Sequence, residues 1–167
     1  MKNFEIYSVL SFVQLFKGAD LSLVNSFFEE NEAFVSSFSS GEEILSPTDK
    51  EKRLGVILSG SACVFSSSEN GGALLREMGS GDTFGVANLF CDHEEFVSLI
   101  LAKKACHILF FTHNAVEKLL QSDATFRMNY IRFLSERICF LNDKITCFTA
   151  GTPERKLISF LLSHALE

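Results

Sequence analysis

The alternation of apolar and polar positions changes texture twice along the chain. In residues 1–31 the apolar side chains fall at helical spacing, with Phe4, Val9, Phe12 and Val13 followed by Leu21, Val24, Phe27 and Phe28. Such spacing predicts two short amphipathic helices, separated at Gly18, with Asp20 as N-cap of the second. Between residue 33 and about residue 112 the pattern becomes short apolar runs broken by Gly, Ser, Asp and Asn. Strands are expected at 33–38, 54–58, 62–66, 73–78, 97–102 and 106–111. Glu69-Asn70-Gly71-Gly72 is the clearest turn signal, because Asn-Gly accepts the positive φ of a tight hairpin. Several short strands at near-regular spacing predict an antiparallel sandwich or roll, whose edges the flanking helices can cover. The fold class is therefore mainly β with flanking helices.

Helical texture returns at Asn114. A short helix at 115–121 is followed by Ser122-Asp123, a candidate N-cap for a long helix reaching about Thr149. Gly151-Thr152-Pro153 ends it and can start another helix, since Pro at the first helical position loses no needed N–H. That last helix, 154–167, carries Leu157, Ile158, Leu161, Leu162 and Ala165 on one face.

On the long helix, Ile131, Leu134, Ile138, Leu141, Ile145 and Phe148 recur with alternating spacings of three and four, as a coiled-coil seam requires. A second stripe beside it holds Phe126, Tyr130, Phe133 and Phe140. The rest of the surface carries Asn129, Arg132, Ser135, Glu136, Asn142 and Asp143. The two apolar stripes are wider than the ~100° stripe of a helix resting on one surface. Such a helix needs two neighbours: the roll on one side and, on the other, a second copy of itself in a parallel homodimer, the alternative being a helix buried wholly within the monomer.

Composition narrows the functional classes. The chain has 167 residues, 47% of them hydrophobic and 22% charged, which is globular composition and excludes disorder. A formal net charge of −6 argues against a nucleic-acid surface within these residues. Eighteen Phe, with no Trp, imply a large core or apolar faces that need a partner. The five Cys (63, 91, 106, 139 and 147) include no Cys-x-x-Cys pair. That pattern suggests buried, reduced thiols in a cytoplasmic protein rather than a disulfide framework or a zinc site. No segment approaches the ~20 apolar residues of a membrane span, and the apolar start lacks the basic run of a signal peptide.

The order of helical prefix, roll, long helix and capped helix resembles the CRP/FNR family of bacterial transcription regulators. The resemblance rests on Leu15-Phe16-Lys17-Gly18 with Leu21, on Gly55-Val56-Ile57-Leu58-Ser59-Gly60-Ser61-Ala62, and on Gly81-Asp82-Thr83-Phe84-Gly85 continued by Leu89-Phe90. The stretch from Cys106 to Leu120 is similar to the family's closing strand and short helix. The resemblance implies a cyclic-nucleotide-binding-like jelly roll over 1–121 that senses a small molecule or redox signal, with a central hairpin at 55–62. It implies a dimerisation helix over 122–150 and, at 151–167, the first helix of a helix-turn-helix domain that would bind DNA. DNA contact is then expected only through a C-terminal domain absent from this chain. The alternative is a stand-alone ligand-binding or scaffold module of the same fold, and a basic helix-turn-helix beyond Glu167 would separate the two.

Gly81–Gly85 resembles the entry to the family's phosphate-binding cassette, but the chain departs from the cyclic-nucleotide pattern. Where that pattern places a Glu for the ribose hydroxyl and, about ten residues on, an Arg for the cyclic phosphate, the matching residues are Val86 and Phe96. Val offers no acceptor and Phe no charge. No Lys or Arg occurs between Glu77 and Ala102, while Asp92, Glu94 and Glu95 are acidic. A buried phosphate needs a paired cation, so cyclic AMP is not the expected ligand. The expected effector pocket comprises Gly85, Val86, Ala87, Asn88, Phe96, Val97, Leu141 and Asn142, an apolar wall suited to a small apolar or aromatic effector, unless these side chains simply fill the roll. Asp92-His93-Glu94-Glu95 cannot converge on one metal without a sharp turn, and His107 and His113 do not form a ligand pair. No metal, cofactor or catalytic residue is expected, and no nucleotide loop or nucleophile elbow marks an enzyme.

Overall fold

The computed structural model describes residues 3–66, 72–92 and 98–149, with only the backbone described at residues 3, 4, 147 and 148. Two helices open the chain, α1 at Asn3–Phe12 and α2 at Ser22–Glu29. Six strands follow: β1 Ala33–Phe38, β2 Glu43–Leu45, β3 Arg53–Ser66, β4 Leu74–Gly79, β5 Thr83–Phe84 and β6 Ser98–Thr112. Helices α3, His113–Ser122, and α4, Ala124–Thr149, complete it. The chain divides into two compact units, Met1–Asn129 and Tyr130–Glu167.

The strands form one antiparallel system around β3 and β6, each of which serves both halves of a roll. Arg53–Ile57 pairs with Thr112–Ile108, flanked by β1 and β5. Ala62–Ser66 pairs with Ala102–Ser98, flanked by β2 and β4. Between the halves the β3–β6 register slips three times, around Ile57, Ser59 and Ser61. Bulges of this kind bend a strand and re-aim its side chains. The pairs expected at 54–58 with 62–66, and at 97–102 with 106–111, are thus single strands. Gly60 explains the expected hairpin break at 55–62: its φ is +86°, and an added Cβ would lie 2.2 Å from the Ala105 carbonyl oxygen. It forms a bulge inside β3 and not a turn. The hairpin expected near Asn70 is present, with β3 and β4 antiparallel and Ser66 N–H donating to Ala73 O at 3.0 Å; its tip, 67–71, lies outside the described residues. The short strands β2 and β5 carry too few residues to show a period.

Two apolar layers lie on opposite faces of β3 and β6. Inside the roll, Phe110 meets Phe84 edge-on at 5.9 Å and stacks on Phe34 at 5.5 Å, among Ile57, Ile108 and Ile100. The next residue, Phe111, points to the opposite face, where it stacks on Phe16 at 5.3 Å; Phe126 packs on Phe16 at 5.0 Å. Successive strand residues face opposite sides, so the unbroken apolar runs at 54–58 and 108–111 mark strands covered on both faces. That double burial absorbs many of the eighteen Phe.

The prefix joins α4 through backbone-directed polar contacts. Asp123, as expected, caps α4: its Oδ1 accepts from Phe126 N–H at 2.8 Å, while Oδ2 accepts from Asp20 N–H at 2.6 Å. Asp20 is not the N-cap of α2. Leu21 holds that position without a side-chain bond, and Asp20 Oδ1 accepts from Ser22 N–H one residue further along. Asn129, expected on the solvated face, is buried, donating from Nδ2 to Lys17 O at 2.9 Å and Leu15 O at 3.3 Å. The periodicity of α4 could not register this, because the acceptors come from a bend more than 100 residues earlier.

Candidate functional site

The cassette is assembled from glycines that allow close backbone approach. Gly81 N–H donates to Ile57 O at 2.8 Å and Ile57 N–H to Asp82 O at 3.0 Å, fastening the entry to β3. Asp82 accepts from Gly79 N–H at 2.8 Å and pairs with the Arg76 guanidinium. The Phe84 ring lies directly over Gly55, where an added Cβ would come within 2.1 Å of a ring carbon. Gly85 has φ +82°, and a Cβ there would sit 2.1 Å from Arg53 O. The motif glycines therefore bring β5 and the cassette turn onto β3.

Beyond Gly85 the chain turns tightly. Asn88 and Leu89 N–H both donate to Gly85 O, at 3.2 and 3.1 Å, and Cys91 N–H donates to Asn88 O at 3.2 Å. Val86 and Leu89 are buried, whereas Ala87 is exposed and Asn88 half-buried. Of the expected pocket, Gly85, Val86, Ala87 and Asn88 share this turn. Phe96 and Val97 lie outside the described residues, and Leu141 and Asn142 are exposed on α4 in the second unit.

Sequence reasoning missed Lys52 beside the turn, and Arg53 next to it, whose backbone carbonyl lies against Gly85. Lys52 Nζ donates to Cys91 O, at the end of the cassette. The Arg53 guanidinium lies 5.1 Å from the Phe34 ring centroid and pairs with Glu51. A count of charges between Glu77 and Ala102 could not find them, because pairing of β3 with β5 brings residues 52–53 to the cassette. On the other side the Phe90 ring meets the His113 imidazole edge-on at 4.7 Å. His107 is committed elsewhere, its Nδ1 2.8 Å from Ser37 Oγ. The Asp92–Glu95 motif falls mostly outside the described residues, and the described residues contain no group of three potential metal ligands. Nor do they contain a helix long and apolar enough to cross a membrane.

Along α4 the seam residues Ile131, Ile138, Leu141 and Ile145 are 50–59% exposed in the single chain, and Leu134 is half-buried. The Phe148 side chain lies outside the described residues. The second stripe divides: Phe126 and Tyr130 are buried, but Phe140 is exposed, with Arg137 and Lys144 cations 5.4 and 5.2 Å from its ring centroid. Burial pushes the Tyr130 phenol up to about 12. Burial also pushes the Asp123 carboxyl upward, but the amides of Phe126, Asp20 and Thr125 and the Arg127 charge outweigh it. Its pKa falls below the ordinary carboxylate value. The expectation of buried thiols holds for Cys63 and Cys106, not for half-buried Cys91 or for Cys139, which is exposed on the helix; the Cys147 side chain is outside the described residues.

The cyclic nucleotide-binding domain family matches residues 35–123, just over half of the chain. The sensor domain of the transcriptional regulator DNR from Pseudomonas aeruginosa is similar with a TM-score of 0.67 at 16% identity, covering 78% of this chain and 91% of that one. The Catabolite Activator Protein of Thermus thermophilus gives 0.68 at 19% identity, covering 81% of this chain and 63% of that one. The regulatory domain of PKA from Toxoplasma gondii, solved with cAMP, gives 0.62 at 18% identity, with 77% and 48% covered. The chain thus spans less than two thirds of the Thermus protein and most of the isolated DNR sensor domain. No curated protein sequence matches it. Identities this low speak for the fold, and the family match speaks for descent. The chain belongs to the cyclic nucleotide-binding domain family, and the CRP/FNR resemblance carried by its glycine motifs holds at the level of the fold.

Proposed function

We propose that this chain is the effector-sensing and dimerisation part of a CRP/FNR-like transcription regulator, that its effector is not cyclic AMP, and that DNA is contacted through a C-terminal domain beyond these residues. The observation that carries the reading is the seam of α4. Ile131, Ile138 and Ile145 occupy one heptad position and Leu134 and Leu141 the other, and most of this branched aliphatic surface is exposed in the single chain. Isoleucine at a with leucine at d favours a parallel two-stranded coiled coil. Arg137 and Lys144 flank that seam on one side, and an antiparallel pairing would set these cations against each other.

The reading against cyclic AMP rests on the cassette. It keeps the glycine architecture but has buried Val86 where a ribose-binding carboxylate would be expected, and the sequence has Phe96 where a phosphate-binding Arg would be expected. The turn at Gly85–Asn88 then suits a small apolar or aromatic effector rather than a cyclic phosphate. Two measurements test the proposal. Sedimentation of the chain should give a dimer, and a monomer at micromolar concentration would defeat the dimerisation role. Thermal-shift titration with cyclic AMP should give no stabilisation, since a ligand bound only by the native state must raise the melting temperature; a saturable rise would refute the reading of Val86 and Phe96.

A further inference from the structure

Contacts at the far end of the cassette point to regulation of that same site, and the inference rests on reading 81–91 as the cassette. The turn is anchored at its start by Gly85, packed on Arg53 O, and from beneath by buried Val86 and Leu89. Its end would be left with an outward carbonyl and an exposed ring. Instead, Lys52 Nζ reaches Cys91 O, and Phe90 lies against His113. These two partners lie just beyond the sheet on adjacent chain ends, because Arg53 is paired in register with Thr112, which caps α3 through a 3.2 Å bond from Ala115 N–H to its Oγ1. The cassette end is thereby strapped to the junction where β3 begins and β6 turns into α3.

We infer that Lys52 and His113 form a latch that holds the cassette closed without a bound ligand. The latch is built from the chain itself, by a charge-assisted hydrogen bond to a backbone carbonyl and an aromatic contact.

Hydrogen exchange on the full chain, followed by mass spectrometry, tests this. The reporters are the amides of Asn88, Leu89 and Cys91, which bond within the turn. They should be protected in the ligand-free protein. Lys52→Met should accelerate their exchange by about tenfold or more while leaving β6 and α3 unchanged, and Lys52→Arg should keep most of the protection. Phe90→Ala should act in the same direction. Fast cassette exchange in the parent protein would overturn the latch, as would Lys52→Met leaving the turn unaffected. Equal acceleration across the whole roll would also overturn it, making Lys52 a general stabiliser. The readout is independent of sedimentation, so a failed latch and a failed dimer are distinguishable.

Discussion

Phe126 and Ile138 lie on the same helix and are comparably apolar, yet Phe126 is fully buried and Ile138 is 59% exposed. Phe126 belongs to the first unit, where it packs on Phe16 beside the Asp123 cap and the Asn129 bonds to the prefix bend. Ile138 belongs to the second unit, where the surface is a stripe of one residue type at one heptad position. Hydrophobicity alone does not separate core from interface. Shape does, on the proposed dimerisation role of α4: irregular aromatic packing closes a unit on itself, whereas a repeating branched-aliphatic seam suits pairing with another copy.

The sharpest way to break that comparison is to empty the closed side. Phe126→Ala removes a fully buried ring and should cost about 3–5 kcal/mol, read as a lowered urea midpoint with an unchanged m-value. On the open side, Ile138→Glu should leave the roll's own unfolding transition in place and weaken dimerisation by about a hundredfold or more, near 2.7 kcal/mol, seen by analytical ultracentrifugation. If it instead destabilised the roll as strongly as Phe126→Ala, the distinction between the two regions would collapse. Gly85→Ala probes the cassette within the closed unit. A left-handed φ and a Cβ 2.1 Å from Arg53 O should cost about 1–3 kcal/mol, and the dimer should persist.

Asp123 marks the boundary and gives the smallest effect. Asp123→Ala should cost about 1 kcal/mol as a lost cap. Its carboxyl is lowered in the folded chain, so its contribution is present above the ordinary carboxylate pKa and disappears as pH falls through the lowered value. Asp123→Asn keeps one capping oxygen but sets its amide against the other N–H donor, so it should flatten the acid limb of the stability profile and cost part of the neutral stability, about 0.5–1 kcal/mol. A denaturant series from neutral to strongly acid pH measures both.

Much of the fold was legible because burial imposes a period. The helical prefix, the strand of Ala33–Phe38, the Asp123 cap and the start of α4 all follow from spacing and capping chemistry. The joins within β3 and β6 did not, because Gly60 reads equally well as a turn and as a bulge until the Ala105 carbonyl is seen against it. The candidate site divides the same way. Val86 as a poor ligand group was readable from its side chain alone, but Lys52 and His113 reach the cassette only through strand pairing.

By itself, the sequence determined the types of the longer described elements, the roll class and the heptad seam, since each depends on residues close together in the chain. Tertiary structure alone decided that Asn129 is a buried tie, that the Phe-rich strands serve two back-to-back layers, and that the Lys52 cation, just before β3, meets the cassette. Those outcomes depend on contacts between segments tens of residues apart, and no local period records which distant backbone group will arrive to satisfy a side chain.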